Sequence, residues 1–375
     1  MEMKNLIFYK TTADFDNTGE VLIYRNLLNF LRQYGNVIIN DGKAINPIFL
    51  NRICVSTSER LSNFTSSPFI IYILLCSLRN LFTKKQVWFV TGVGEHNVCG
   101  WKDIAKNIIS FLFLLTLKCF KVKILRIGMS IRFGGKIECL SEKLISSVID
   151  YYYVRDSISY NNCKHSGIDK CQQAPDLSWG GFYGNSDRKA STNNILLSFR
   201  DFCVSESEKE VYKKELLSKI LLLIDYYLAE SWCKNIYLAY QCDVDADFMH
   251  EIYEMRKDNR VCMINELITL DNADEYYGNV DVIFSNRLHV LLLGYKFGAP
   301  TICLSNIEEH KKIVGILKDN GLTGALLDIK IDNSELVNEF KKINKERLII
   351  EEKYVDAEKS NYNQLNSIFQ KIFSN

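Results

Sequence analysis

Ser285-Asn286-Arg287-Leu288-His289 stand where an apolar run, Val280-Asp281-Val282-Ile283-Phe284, passes into an apolar stretch of helical character. In an open α/β sheet that junction is the carboxyl end of a strand, where ligands bind. A helix opening there turns backbone N–H groups and its positive dipole end toward the crevice. Arg287 adds a fixed planar cation, and His289 adds a titratable imidazole. Such a set suits capture of a phosphate or carboxylate coupled to movement of a proton.

Other predicted strand ends carry polar groups. Asp14-Phe15-Asp16-Asn17-Thr18-Gly19-Glu20 joins the first predicted strand to the first predicted helix, a favoured ligand position in a doubly wound domain. Gly19 permits close approach of a ligand to backbone, and Asn17 or Thr18 can cap the helix; a capping loop with solvated acids reads equally well. The stretch is not a G-x-G-x-x-G pattern, so a dinucleotide site is poorly supported. Arg126-Ile127-Gly128-Met129-Ser130-Ile131-Arg132-Phe133-Gly134-Gly135 reads as a loop whose glycines and arginines suit an anion, or as an ordinary flexible loop. In Tyr153-Val154-Arg155-Asp156-Ser157, Asp156 or Ser157 fits an N-cap and Arg155 stands at the strand end, with a surface Arg–Asp pair as the alternative. Further on, Ser198-Phe199-Arg200-Asp201 and Tyr240-Gln241-Cys242-Asp243 share the rim of Arg287. Lys311 follows another strand and offers either a further cation or a solvated helix lysine.

The elements that must position these groups follow from periodicity. Strands are expected at Leu6–Tyr9, Val37–Ile39, Val87–Thr91, Val122–Ile127 and Tyr151–Val154, with a helix over Val21–Tyr34 and another over about 101–120. After the polar stretch Gly184–Asn194, the best linker, strands are expected near Ile195–Phe199, Ile236–Tyr240, Val261–Ile264, Val282–Phe284, Thr301–Leu304 and Ala325–Ile329. Helices fall between them, including Glu206–Leu228 and Asp245–Arg256, and a charged helical pattern covers about 334–373. Strands alternating with helices imply parallel sheets. The expected fold class is therefore α/β, with two doubly wound Rossmann-type domains facing a cleft. The expected boundaries are 1–184, 194–350 and a C-terminal helix at 351–375.

A chain of 375 residues suits two domains. Its 46 Lys and Arg against 45 Asp and Glu leave a net charge of +1 and no global basic field to attract nucleic acid. The 12 cysteines are scattered, with no C-x-x-C pair, which argues against a zinc site or disulfide framework and for a reducing cytoplasm. The N-terminus has no signal-peptide apolar core, which adds to the same expectation. Pro68–Leu81 and Ile108–Phe120 are strongly apolar but fall short of the ~20 residues of a spanning helix. They are read as core helices covering the first sheet, or as a face touching a membrane surface.

In order along the chain these motifs resemble the polysaccharide pyruvyltransferase family. Ser285-Asn286-Arg287-Leu288-His289, followed by Leu291-Leu292-Leu293-Gly294 and Gly298-Ala299-Pro300, matches its S-x-R-L-H helix and g-x-P turn. Asn17-Thr18-Gly19-Glu20 is similar to its N-x-G-D, Arg155-Asp156-Ser157 with Ser159 to its R-D-x-S, and Asp176-Leu177-Ser178 to its D-x-a/s stretch. Two departures stand out: Glu20 replaces Asp, and the loop at 127–135 lacks a proline.

The resemblance implies a GT-B-like pair of domains and transfer from phosphoenolpyruvate, a substrate rather than a cofactor, to form a pyruvate ketal on a sugar. His289, Arg287 and Glu20 are the expected catalytic residues. Arg155, Ser285, Leu288 and Lys311 are expected at the donor, and Asp14, Asp16, Asn17 and Gly19 at the acceptor. No metal, cofactor or nucleic acid is expected. The acceptor is a surface-polysaccharide sugar, free or linked to undecaprenyl diphosphate, met in the cytoplasm or through peripheral contact at the inner membrane face. The alternatives are a GT-B glycosyltransferase using a nucleotide sugar and a non-catalytic glycan-binding subunit of an envelope-assembly complex.

Overall fold

The computed structural model describes residues 5–11, 17–42, 46–80, 82, 85–181, 191–201 and 209–374. They divide into two compact units. One holds the described residues of 1–15, 20–180 and 361–375, and the other those of 16–19 and 181–360. Most of the expected linker, 184–194, lies outside the described residues, as do Asp14 and Asp16.

In the first unit, β1 (Asn5–Tyr9), α1 (Thr18–Tyr34), β2 (Gly35–Ile39), α2 (Pro47–Arg52), α3 (Phe69–Asn80), β3 (Val87–Val90), β4 (Gly94–Val98), α4 (Trp101–Cys119), β5 (Lys123–Phe133), α5 (Lys136–Val148), β6 (Tyr151–Val154), α6 (Ser157–His165) and β7 (Cys171–Gln173) follow in turn. The strands pair in the order β2-β1-β3-β5-β6-β7, with β4 beside the far half of β5. Every pairing is parallel. Near-continuous apolar strands such as Val87–Val90 suit a sheet covered on both faces. Phe8, Ile73, Phe89, Ile124 and Val154 lie in its core.

The loop expected at 127–135 is instead the second half of β5. Ile127, Met129 and Ile131 are buried, and residues 129–133 pair with β4. Gly128, at φ +80, sits at the register shift against β6 and absorbs the irregularity that made the segment read as a turn.

The second unit contains β8 (Asn194–Ser198), α7 (Lys209–Ala229), β9 (Asn235–Leu238), α8 (Ala246–Met255), β10 (Val261–Met263), α9 (Ala273–Tyr277), β11 (Val282–Ser285), α10 (Leu288–Gly294), β12 (Thr301–Ser305), α11 (Lys311–Asp319), β13 (Leu326–Asp328) and α12 (Asn333–Ser374). Its six parallel strands lie in the order β10-β9-β8-β11-β12-β13. The chain winds outward from β8 to β10, then crosses back to β11. Neighbouring β8 and β11 therefore flank a topological switch point, the place in an open α/β sheet where ligands bind.

The division of the chain differs from 1–184, 194–350 and 351–375 in two places. Residues 17–19 group with the second unit, because Thr18 donates through its N–H to Gln241 O (3.0 Å) and through Oγ1 to Ile268 O (2.7 Å). The C-terminal helix starts at Asn333. Its Phe340 and Tyr354 pack on Phe284 and Tyr295 in the second unit. Its last residues belong to the first unit, where Phe369 stacks on Phe30 at 4.6 Å and Phe373 meets Trp88 at 4.5 Å. Truncating fully buried Phe369 to Ala is expected to destabilise the first unit by about 3–5 kcal/mol. Denaturant unfolding followed by tryptophan fluorescence measures this, and an unchanged transition would contradict the assignment.

Candidate functional site

The switch point of the second unit is held by two side chains of the 285–289 motif. Ser285 Oγ donates to Ser198 O (2.5 Å) and accepts the Arg287 N–H (2.9 Å), tying the ends of β8 and β11 together. Asn286 grips the backbone of Arg200, two residues beyond the end of the facing strand. Its Oδ1 accepts the Arg200 N–H (2.9 Å) and its Nδ2 donates to Arg200 O (2.7 Å). Both Ser285 and Asn286 are fully buried, where an unmade hydrogen bond is costly and a made one fixes geometry. Asn286 Nδ2 also reaches the Tyr212 hydroxyl (3.3 Å), whose acidity burial suppresses.

Arg287, freed from the staple by its extended backbone, forms an ion pair with Asp245, at the end of the turn that follows β9. Burial raises the Asp245 carboxyl above its ordinary range, and nearby Arg287 and Arg200 offset part of that rise. Two guanidinium groups from two different strand ends thus bear on one carboxylate. Asp245 cannot occupy all five N–H donors of Arg287, and the buried Arg287 Nε has no hydrogen-bond partner among the described residues. The pair holds the guanidinium plane.

His289 lies in the first turn of α10, half-buried, against Gly19. A Cβ built on Gly19 would stand 2.2 Å from His289 Nδ1, so the glycine is required by the close approach of the ring. Asn17 Oδ1 accepts the Gly19 N–H (3.1 Å), and Asn17 bridges to Cys242 at the end of β9. The opening turn of α1 is therefore built into the rim beside the imidazole. On the far side of β11, His310 bonds to Ser305 at the end of β12, and its ring meets Tyr212 edge-on at 5.6 Å.

The structure thus brings Asn17, Gly19, Ser285, Arg287 and His289 to one rim and adds Arg200, Asp245 and His310. Arg200 was visible in the sequence as a strand-end arginine. Asp245 carries no local signal, since its partner lies across the sheet, whereas His310 bonds to Ser305 only five residues away. Leu288 is a core side chain, only 5% exposed, and Lys311 is exposed at the start of α11.

Arg155, expected at the donor, has its polar atoms engaged within its own unit. Its side chain is 1% exposed in the first unit, where Nε donates to Ser130 Oγ (2.8 Å) and a terminal nitrogen to Asp176 (3.1 Å). Asp156 caps α6 through the Ser159 N–H (2.7 Å), and Asp176 accepts from Ser178 N (2.9 Å) and Oγ (2.6 Å). These motif residues form one buried polar network among β5, β6, α6 and residues 176–178, and they hold the unit together. Arg126, one of the two arginines in the stretch read as anion-binding, is likewise buried in an ion pair with Glu142. Glu20 is half-buried in the first turn of α1, close enough to Tyr9 to help raise that hydroxyl's pKa, after burial and Tyr24.

Residues 17–308 match the model of the polysaccharide pyruvyl transferase family. A search of curated proteins finds no match. Among solved structures, the chain is similar to UDP-GlcNAc 2-epimerase from Neisseria meningitidis bound to UDP-GlcNAc (TM-score 0.56, 12% identity, 96% of this chain and 99% of that one). It is also similar to the S. aureus MnaA–UDP co-structure (0.52, 12%, 93% and 90%) and to Arabidopsis thaliana UGT89C1 complexed with UDP-L-rhamnose (0.51, 9%, 98% and 99%). At these identities the likeness shows the fold alone, and that fold is GT-B: two Rossmann-type α/β units.

The raised Asp245 carboxyl has a definite pH signature. Below about pH 4, the ordinary aspartate value, the group is protonated in both folded and unfolded chains and its contribution to stability is full. That contribution is lost as pH rises through the raised folded value, because the unfolded chain releases the proton first. The stability difference between wild type and Asp245→Asn should therefore shift toward the variant over that interval, as read by thermal unfolding at a series of pH values. A difference that stays flat with pH would contradict the burial described here.

Proposed function

The chain belongs to the polysaccharide pyruvyl transferase family, and from that premise we propose that it forms a pyruvate ketal on a sugar of a bacterial surface polysaccharide, or of its lipid-linked precursor, with phosphoenolpyruvate as donor. The observation that carries the reading is the placement of Arg287 and Arg200 around Asp245, on the same rim as His289. Phosphoenolpyruvate bears a phosphate and a carboxylate, each a match for a guanidinium fork. Arg287 takes one of them and Arg200 takes the place first assigned to Arg155. Lys311, exposed at the start of α11, adds charge on the approach side.

The chemistry balances with these groups. A proton adds to the methylene carbon of phosphoenolpyruvate and leaves positive charge at C2. One sugar hydroxyl attacks C2 and gives up its proton. Departure of phosphate breaks the C2–O bond, and a second hydroxyl closes the ketal, its proton leaving with the phosphate. His289 is the proton carrier, a role for which an imidazole is suited near neutral pH. The arginines stabilise the departing phosphate. Glu20, next in the chain to Gly19, is the base assigned to a sugar hydroxyl, with Asp14 and Asp16 as the other acids of that turn; Asn17 and Gly19 border the acceptor. No cofactor enters this scheme.

A nucleotide-sugar glycosyltransferase is the competing reading, since two of the similar structures hold UDP and UDP-L-rhamnose. Incubation of the purified protein with undecaprenyl-diphosphate-linked glycans and either phosphoenolpyruvate or a panel of UDP-sugars separates the two. Mass spectrometry should show a pyruvyl ketal with equimolar phosphate release, and His289→Ala should lower that rate by about 10²–10⁴-fold. Gly19→Ala, which drives the ring aside, should act in the same direction. Transfer of a hexose from a UDP-sugar, or an undiminished His289→Ala, would overturn the proposal.

A further inference from the structure

The first unit carries an apolar surface that its own fold does not use. Of the 21 exposed large hydrophobic side chains among the described residues, 14 fall between Phe64 and Leu144. They recur at helical spacing on the outward faces of three helices: Ile71, Leu75 and Leu78 on α3, Ile108, Leu112 and Leu115 on α4, and a shorter stripe on α5. The inward stripes of the same helices are buried against the sheet through residues such as Phe69, Ile73, Leu114 and Ile145. A surface helix of a globular protein normally keeps its outer face polar. These helices are apolar on both sides.

The stripes lie together. Phe69 of α3 and Phe113 of α4 both pack on Phe89 of β3, and Ser77 of α3 bonds to the Phe120 carbonyl at the end of α4. Asn107 of α4 donates to Ser141 of α5 (3.0 Å). The three helices therefore form one layer on one face of the sheet, and contiguous apolar patches of that extent mark interaction sites.

Charge decides which partner fits. The three helices carry six bases and three acids. Of the acids, Glu142 is fully buried with Arg126, Asp103 pairs with Lys106, and Glu138 accepts the Gly100 N–H. Arg79, Lys102, Lys136 and Lys143 are exposed at the margins of the apolar stripes. Trp101, 77% exposed at the start of α4, stands beside Lys102. An aliphatic centre edged with Lys, Arg and Trp is the composition of a surface that sits in the interfacial layer of an anionic bilayer. Protein–protein interfaces are instead depleted in lysine. No helix among the described residues is long and apolar enough to cross a membrane, so contact is from one side.

We propose that the α3–α4–α5 face docks the protein onto the surface of an anionic lipid bilayer. This inference stands apart from the ketal chemistry, because it rests on different residues. The test is flotation of the full chain with vesicles of phosphatidylcholine alone and with phosphatidylglycerol added. The protein should rise with the anionic vesicles, and raising salt from about 0.1 M to about 1 M should weaken that binding. Exposed-face variants Ile109→Asp and Leu112→Asp, and separately the triple variant Lys102→Glu, Lys136→Glu, Lys143→Glu, should each lower the floated fraction at least several-fold with unchanged circular dichroism. Transfer to a water-soluble glycan should not change in these variants, so failure here is distinguishable from failure of the ketal reading. Protein that stays at the bottom of the gradient, variants that float like wild type, or a dimer in sedimentation that Ile109→Asp dissolves without any flotation would each overturn the docking proposal.

Discussion

The two hydrogen bonds between the Asn286 amide and the backbone of Arg200 are the constraint on which the site depends. Strands β8 and β11 are neighbours in the sheet, but the segments leaving them diverge, and nothing in the ladder itself fixes the gap that opens. Asn286 spans that gap with donor and acceptor on a single side chain. Ser285 makes a second tie one residue earlier. With both in place the chain must present Arg287 next, out of the sheet, and His289 in the first turn of the helix. A one-residue slip at this junction would bury the cations and expose the staple.

Placement of charge follows from the same constraint. Arg287 reaches Asp245 because β9 lies two strands from β11, with β8 between them, and Arg200 comes from that middle strand. An aspartate whose acidity is reduced by burial, between two arginines, orients cations without cancelling them. The motif-bearing arginine of the first unit is used differently. Arg155 is closed into a network with Ser130 and Asp176, where removal of one partner would strand a buried charge. Two arginines at two strand ends are thus held differently: Arg155 is closed into its unit, and Arg287 is paired with Asp245 on the rim of the switch point.

The fold was largely legible from the sequence because it is written in local periodicity. Short apolar runs alternate with helical patterns in both halves, and each expected strand of the second half is present. The strands that escaped notice are β4, whose Gly94-Glu95-His96-Asn97-Val98 is mostly polar, and β7, only three residues long. Glycines disguise the second half of β5, although its burial is continuous as far as Ile131. The site was half legible. Arg287 and His289 announce themselves within five residues, and Gly19 stands out in its own turn, but nothing local ties that glycine to His289. Asp245 does not, because its meaning comes from a partner 42 residues away, brought close only by strand order. The partner of Arg155, Asp176, is likewise distant in sequence, and the strand-end position of Arg155 does not show that pairing.

The central claim is that the crevice braced by Asn286 is where an enol phosphate binds. Calorimetric titration of phosphoenolpyruvate into the wild-type protein and into Asn286→Ala tests it most directly, with UDP titrated as the competitor. The account predicts saturable, salt-sensitive binding that UDP does not displace, and at least a tenfold weaker affinity in Asn286→Ala, about 1.4 kcal/mol, within the range for lost buried hydrogen bonds. Phosphoenolpyruvate binding equally well to both proteins, or none to wild type while UDP binds, would contradict it.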